Sequence, residues 1–402
     1  MSSPPLHPHV SDKHIVVTGG CGFFGAWIVS KLLASGARVT IVDAVLSPAR
    51  LALTMSSEEI ARVTLLQVRL YARLMRMLPL RQLSPQENFS PHRPRRVAAT
   101  RPPISLAPRR RPPLHHHRHH HHPAPRLAQA AIDEPSFVTT LAGLRPDGVI
   151  HLAALQMPMC KAQPLLGARV NVVGHLAIFE AARAMLAAPV GVAPAIVYAS
   201  SAAVFGPDAE YGDAAAGDLA VPSPRSHYGA FKLCCEFASR AYALSDGIAS
   251  VGLRPLTVYG PGRDVGLTSA PTRALAAAVR GEPFDIPFSG ATAYIHVAEV
   301  ADMFIACLRQ ERGAGPSEAL ARIYTVGGDT VDVPAFIALA AAAIPGADKL
   351  ITCSGAPLPL VSKLDDAALR RDYPVPRIAL ADGVRQTADA YRALHAQGKL
   401  KV

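Results

Sequence analysis

Cysteine is sparse in this chain, and none of its six cysteines (Cys21, Cys160, Cys234, Cys235, Cys307, Cys353) forms a C-x-x-C pair. That spacing excludes a disulfide scaffold and a zinc module, and it suits a reduced, cytoplasmic compartment. The opening residues, MSSPPLHPHV, lack the charged start and apolar core of a secretory signal. No uninterrupted apolar run approaches the roughly 20 residues of a membrane span. The greasiest window, AFIALAAAAIP, reads as an Ala-rich helix. Membrane insertion is therefore not expected.

Acidic residues are missing from one long stretch. Residues 68–132 hold thirteen arginines, no lysine and a single acid, Glu87. That stretch alone carries a charge of about +12 against the formal +11 of the whole chain, so the remainder is near neutral. Its loudest part is RRRPPLHHHRHHHHP, Arg109 to Pro123. Histidine tracts can hold metal ions, but nothing in the pattern fixes a ligand set, and no metal site is expected. Arginine alone can hold nucleic acid electrostatically. From Arg93 to Arg126 no Phe, Tyr or Trp interleaves the arginines for base stacking, so a nucleic-acid role is not expected either. Proline-rich, one-signed and without periodicity, 68–132 reads as a disordered insertion, or as GC-rich sequence translated out of frame.

The rest of the chain, 402 residues in all and half of them hydrophobic, is long enough to bury a large core. Strands and helices alternate from His14 onward. HIVVT is a strand, GAWIVSKLLASG a helix ending at Gly36, and ARVTIVD a second strand. SPARLALTMSSEEIARV is expected to be one helix, with Ser47 as N-cap and Pro48 in its first position. VTLLQV, DGVIHLAA and AIVYASS are further strands; SFVTTLAGLRP and LLGARVNVVGHLAIFEAARAML are helices. This order predicts an α/β fold, a Rossmann-type doubly wound parallel sheet with a small C-terminal α/β substrate-binding region. The expected domains are 12–67 with 133–260 for dinucleotide binding, and 261–400 mainly for substrate, with some strands returning to the first sheet.

Gly19, Gly22 and Gly25 follow the first strand and open a helix. That G-x-x-G-x-x-G spacing permits a tight turn and brings pyrophosphate onto the helix N-terminus. Asp43 ends the second strand, where a carboxylate meets the adenosine ribose hydroxyls and repels a 2′-phosphate, which selects NAD. Tyr228 and Lys232 stand four apart on a predicted helix and share a face. There the lysine would assist the tyrosine as a general base at a substrate hydroxyl. Ser200 and Ser201 end a strand, at the sheet edge where ligands bind.

Taken in order, TGGCGFFG, Asp43, HLAA, Asn171 in NVVG, YASSAAVFG, YGAFK, RPLTVYGPG and YIHVAEVAD resemble the extended short-chain dehydrogenases/reductases, the NAD-dependent epimerase/dehydratase group. The resemblance covers about 12–66 and 133–400. It implies that Gly19, Gly22, Phe24 and Gly25 line the pyrophosphate turn. Leu152, Ala153 and Ala154 would pass along the cofactor, and Pro255 and Val258 would flank the nicotinamide end. Ser201, Tyr228 and Lys232 would be catalytic, with Tyr228 and Lys232 also touching NAD. Gln156, Met157, Arg273 and His296 lie on segments such proteins turn toward substrate. A homodimer through a four-helix bundle, built on the helices beginning near Val170 and Tyr228, is also implied.

Three departures stand out. The third strand usually ends in Gly-Asp-Leu, whose acid meets adenine; here LLQ runs into Val68-Arg69-Leu70. The Asn-rich segment common after VYGP in nucleotide-sugar enzymes is absent, and Thr292-Ala293 replaces an Arg-Asp before YIHV. The expected activity is hydride transfer between NAD and a secondary alcohol carbon of a sugar, sugar acid or similar polyol. A nucleotide-sugar epimerase or dehydratase, or a non-catalytic NAD-binding sensor or scaffold, is the alternative.

Overall fold

Unbroken β-branched and aliphatic runs such as HIVV and RVTIV can be buried on both faces only inside a covered parallel sheet. The computed structural model places them there. It describes residues 7–68, 131–189, 191–309 and 320–400, all within one unit. Its strands are β1 (His14–Thr18), β2 (Arg38–Asp43), β3 (Thr64–Gln67), β4 (Gly148–His151), β5 (Ala195–Ala199), β6 (Ser250–Pro255), β7 (Thr257–Tyr259), β8 (Phe284–Ile286), β9 (Ala291–His296), β10 (Ala321–Val326), β11 (Asp329–Asp332) and β12 (Ile351–Cys353). Seven of them form a parallel sheet in the order β10-β6-β5-β4-β1-β2-β3. The chain direction across the sheet reverses between β1 and β4, so a crevice opens beyond their C-terminal ends.

Successive strand residues alternate between two cores. Ile15, Val17, Ile41, Ile150 and Val197 pack with Ile28, Val29 and Phe304 on one face. Val16, Val42, Val149 and Ile196 pack with Phe137, Ile178 and Phe179 on the other. Each such fully buried side chain contributes roughly 1.5–3 kcal/mol. A third core joins Tyr259, Leu275, Ile286, Tyr294, Phe336 and Val384. It supports the smaller sheets β11-β9-β7 and β12-β8. Within 261–400, β10 pairs with β6 and completes the large sheet.

Three expectations change. The single helix over 47–63 is two short pieces, Leu51–Leu53 and Ser57–Ala61. Ser56 Oγ accepts the Glu59 N–H at 3.2 Å and Glu59 Oε2 accepts the Ser56 N–H at 2.8 Å. That reciprocal cap starts a new helix, with Ser56 itself extended. At the margins of 68–132, Val68 donates its N–H to Asp43 O at 2.9 Å, and Ala131 and Ile132 are buried. Those three residues belong to the folded structure because the core needs them: Ile132 packs with Phe137 and Ile178. Residues 69–130, including the Arg/His run, lie outside the described residues.

The third change concerns the helix Pro164–Leu186. It is long and apolar enough, by length and composition, to cross a membrane, and 56% of its 18-residue apolar window is buried inside the protein. Arg169, His175, Glu180 and Arg183 interrupt it. It is a core helix, lying against the sheet face that holds Val149 and Ile196. One wide turn, Arg169–Val173, bulges within it, as helices often do near functional sites.

Candidate active site

The crevice at the β1/β4 reversal is a cleft of about 370 Å³. Its floor is the Gly turn. Gly19 has φ +71, and a Cβ there would stand 2.9 Å from Ala153 N, so only glycine lets β1 and the segment after β4 close up. A Cβ on Gly25 would meet Gly19 O and Gly20 Cα at 2.5 Å. Gly22 caps the helix Phe23–Ala34. The first-turn N–H groups of that helix, which have no intrahelical partner, begin at this cleft wall.

Asp43 is held from two sides. Its Oδ2 accepts the Cys21 N–H at 2.9 Å and its Oδ1 accepts the Val45 N–H at 3.1 Å. The cleft wall beside it is apolar, with Val68 and Ile132. Cys21 itself is an unreactive thiol: burial first, and the Asp43 charge second, push its pKa up to about 11.

Lys232, on the helix His227–Asp246, is buried and donates from Nζ to Ala199 O, the last residue of β5, at 2.6 Å. Its Nζ stands 5.7 Å from the centre of the Tyr228 ring. The helix begins where Ser226 Oγ accepts the Gly229 N–H at 3.0 Å, and Gly229 packs against Ala203, where a Cβ would fall 2.1 Å from its carbonyl oxygen. Ser201 Oγ accepts the Ala203 N–H at 3.1 Å. A hydroxyl engaged as acceptor keeps its proton for a ligand oxygen. Ser200 turns the other way and donates to Glu236 Oε1 at 2.5 Å. Arg254 grips the same carboxylate through Nε at 2.7 Å and Nη2 at 2.6 Å, a buried pair with both oxygens bound.

Gly19, Gly22, Phe24, Gly25, Asp43, Leu152, Ala153, Ala154, Gln156, Met157, Ser201, Tyr228, Lys232 and Pro255 all line the cleft. Three expected residues do not. Val258 is buried in the core beneath the sheet. Arg273 lies over the Phe284 ring at 5.1 Å, in the C-terminal region. His296 is buried: its Nδ1 accepts the Ala298 N–H at 3.3 Å, and its ring packs against Trp27 and Tyr259. Burial lowers its pKa to about 4, with Lys31 adding to the effect. It is a neutral helix cap.

Sequence reasoning passed over Arg263, Thr268 and Arg50, which also line the cleft. Arg50 is claimed by Asp264, with both oxygens within 2.8 Å of its Nη2. The mapping of Asn171 to the family motif carried no role, yet Asn171 shapes the site. From the wide turn it accepts the Leu155 N–H at 2.7 Å and donates to Leu155 O at 3.0 Å, fixing the loop that carries Ala154 and Gln156. The glycine cradle, the free helix N-terminus and the held Asp43 carboxylate together fit a dinucleotide without a 2′-phosphate.

The family model for the NAD dependent epimerase/dehydratase family matches residues 97–327. A UDP-glucose 4-epimerase from Streptomyces lividans is 29% identical over 181 residues, 42% of this chain. The match spans 52% of that relative, about half its length. Among solved structures, the Thermus thermophilus UDP-glucose 4-epimerase complex with NAD is similar with a TM-score of 0.64 and 22% identity, covering 94% of this chain and 99% of that one. A UDP-N-acetylglucosamine 4-epimerase from Methanobrevibacter ruminantium reaches 0.66 at 18% identity, covering 95% and 99%. With more than half of its length matched by the family's model, the chain belongs to the NAD dependent epimerase/dehydratase family, whose members are NAD-dependent enzymes.

Proposed function

We propose that this protein is a sugar epimerase, oxidising a secondary alcohol carbon and reducing it again on the opposite face. The observation that carries this reading is the convergence of Ser201, Tyr228 and Lys232 on one cleft with the Gly turn and Asp43. NAD, when bound, supplies the two-electron acceptor that later serves as donor. Asp43, the Gly turn and the N-terminus of helix Phe23–Ala34 would hold it, and Lys232 and Pro255, which line the same cleft, would meet its nicotinamide end. Ser201 donates its free hydroxyl proton to the substrate oxygen and fixes it in place. Tyr228 takes the alcohol proton as the carbon is oxidised and returns it on reduction. Lys232 holds its ammonium beside the Tyr228 ring.

The relatives act as UDP-sugar 4-epimerases by name, which favours a sugar carried on a nucleotide diphosphate. The missing Asn-rich segment after VYGP favours the second reading, a smaller sugar acid or polyol. Exposed Val173, Leu186, Phe237 and Leu244 on the helices Pro164–Leu186 and His227–Asp246 suit a homodimer joined through them.

The test is incubation with NAD and UDP-glucose, and in parallel with free sugars and sugar acids, with products followed by NMR. Epimer without accumulating NADH supports the proposal; accumulating NADH marks a dehydrogenase instead. Tyr228→Phe should lower the rate at least about 100-fold while NAD still binds. An unchanged rate would remove Tyr228 from the mechanism.

A further inference from the structure

Arg263 follows the Tyr259-Gly-Pro-Gly turn after β7 and lines the cleft with Tyr228, Gln156 and Thr268. Its guanidinium lies over the Phe23 ring at 5.5 Å. Nη2 donates to Thr268 Oγ1 at 3.3 Å, a long bond, and the buried Nε has no partner. Among the described residues no carboxylate forms an ion pair with it. The adjacent acid, Asp264, is engaged with both oxygens on Arg50. Room for the group is built in. Gly266 adopts φ +108, and a Cβ there would fall 3.1 Å from Arg263 Nη2 and 3.6 Å from Gln156 Oε1. An arginine stays charged, and a half-buried charge without a counter-ion is costly to keep. Planar, with several donors, it fits a carboxylate or a phosphate through two bonds.

We infer that Arg263, seated between Phe23, Thr268 and Gly266, is an anion-binding residue that takes a carboxylate of the substrate beside Tyr228. The substrate class is then an acidic sugar, a uronate free or nucleotide-linked. This deepens the proposed function and rests on a sugar being the substrate. Two other oxyanions would fit, the cofactor's own pyrophosphate and the diphosphate of a nucleotide-linked sugar; NAD affinity tests the first, and UDP-glucuronate against UDP-glucose, which share the diphosphate, tests the second.

The NAD-loaded protein, wild type and Arg263→Gln, is titrated by calorimetry with UDP-glucuronate against UDP-glucose, and with D-galacturonate against D-galactose. Malonate, a bare dicarboxylate, is titrated as well, and NAD affinity is measured for both proteins. The acid of one pair should bind at least tenfold tighter than its neutral partner in wild type. In R263Q that preference should vanish, with NAD affinity changed less than twofold. Equal binding of acid and neutral sugars in wild type, or a preference that survives R263Q, overturns the inference. A tenfold loss of NAD affinity in R263Q overturns it too, assigning the arginine to pyrophosphate. If no sugar binds, malonate decides. Binding to wild type and not to R263Q keeps the anion site while the sugar reading falls; binding to neither or to both ends the site as well. Arg263→Met, of similar length and without charge, replaces R263Q in every arm if the glutamine variant does not fold.

Discussion

At the scale of single residues, the site is decided by atoms that leave no spare room. Gly25 touches Gly19 and Gly20 so closely that a methyl group has nowhere to go. Gly25→Ala should destabilise the fold by about 1–3 kcal/mol and abolish the rise in melting temperature that NAD produces. Paired urea and thermal denaturation, with and without NAD, checks both, and an alanine variant still stabilised by NAD would show that the turn can open. This contact was legible in the sequence because glycines at that spacing between a strand and a helix permit a tight turn and close backbone approach. Arg263 was not legible, since nothing in the motif says that the acid beside it is spent on Arg50. His296 misled for a related reason. Its place in YIHV is visible, but which side of β9 its ring takes depends on Trp27 and Tyr259, distant in sequence.

At the scale of elements, the helix Pro164–Leu186 and the helix His227–Asp246 share a buried polar seam. His175 Nε2 stands 3.0 Å from Ser239 Oγ, and Ser239 Oγ donates to Cys235 O at 2.9 Å. Since Ser239 spends its proton on that carbonyl, His175 Nε2 is the donor. His151 lies against the His175 ring and stands 2.7 Å from Thr18 Oγ1. Burial first, then Lys232, lowers the His175 pKa to about 3. Burial, His175 and Lys232 hold His151 well below its ordinary value. Both pKa values are depressed in the folded state, so the unfolded chain binds more protons below the ordinary histidine value of about 6.5. Stability is therefore full above that value and falls as pH drops toward 3. Each histidine adds up to about 1.4 kcal/mol per pH unit to the slope. Urea midpoints at pH 7, 6 and 5 should show this loss, and His175→Gln should show a shallower one. Parallel slopes would mean that the seam does not stay neutral. The sequence announced both helices through their periodicity. It did not announce the wide turn at Arg169–Val173, because a single extra residue in a helix leaves the apolar pattern almost intact.

At the scale of the whole molecule, the stretch 69–130 interrupts a cofactor-binding unit whose two cut ends meet. Val68 and Ile132 pack in the same apolar cluster and line the same wall of the cleft. Replacing 69–130 with a short Gly/Ser linker should thus leave a folded protein with a melting temperature raised by NAD. Differential scanning fluorimetry on the full chain and the deletion variant measures it, and a deletion variant that fails to fold or ignores NAD contradicts this view. The doubly wound sheet was readable from strand–helix alternation alone. The break in the third strand's motif was readable too, but not that Val68 and Ile132 would still close the core around it.

One bond described above reaches furthest. Lys232 Nζ donates to Ala199 O, two residues before Ser201, and Tyr228 lies one turn earlier on the same helix. On the proposed roles, the group that would hold the substrate oxygen and the group that would take its proton are thereby riveted into one body. A carbon oxidised from one side and reduced from the other would find no moving part in that body to follow it. In the proposed epimerisation the turning would then fall to the substrate, and the cleft's outer wall would have to hold the sugar loosely enough to pivot and tightly enough not to lose it.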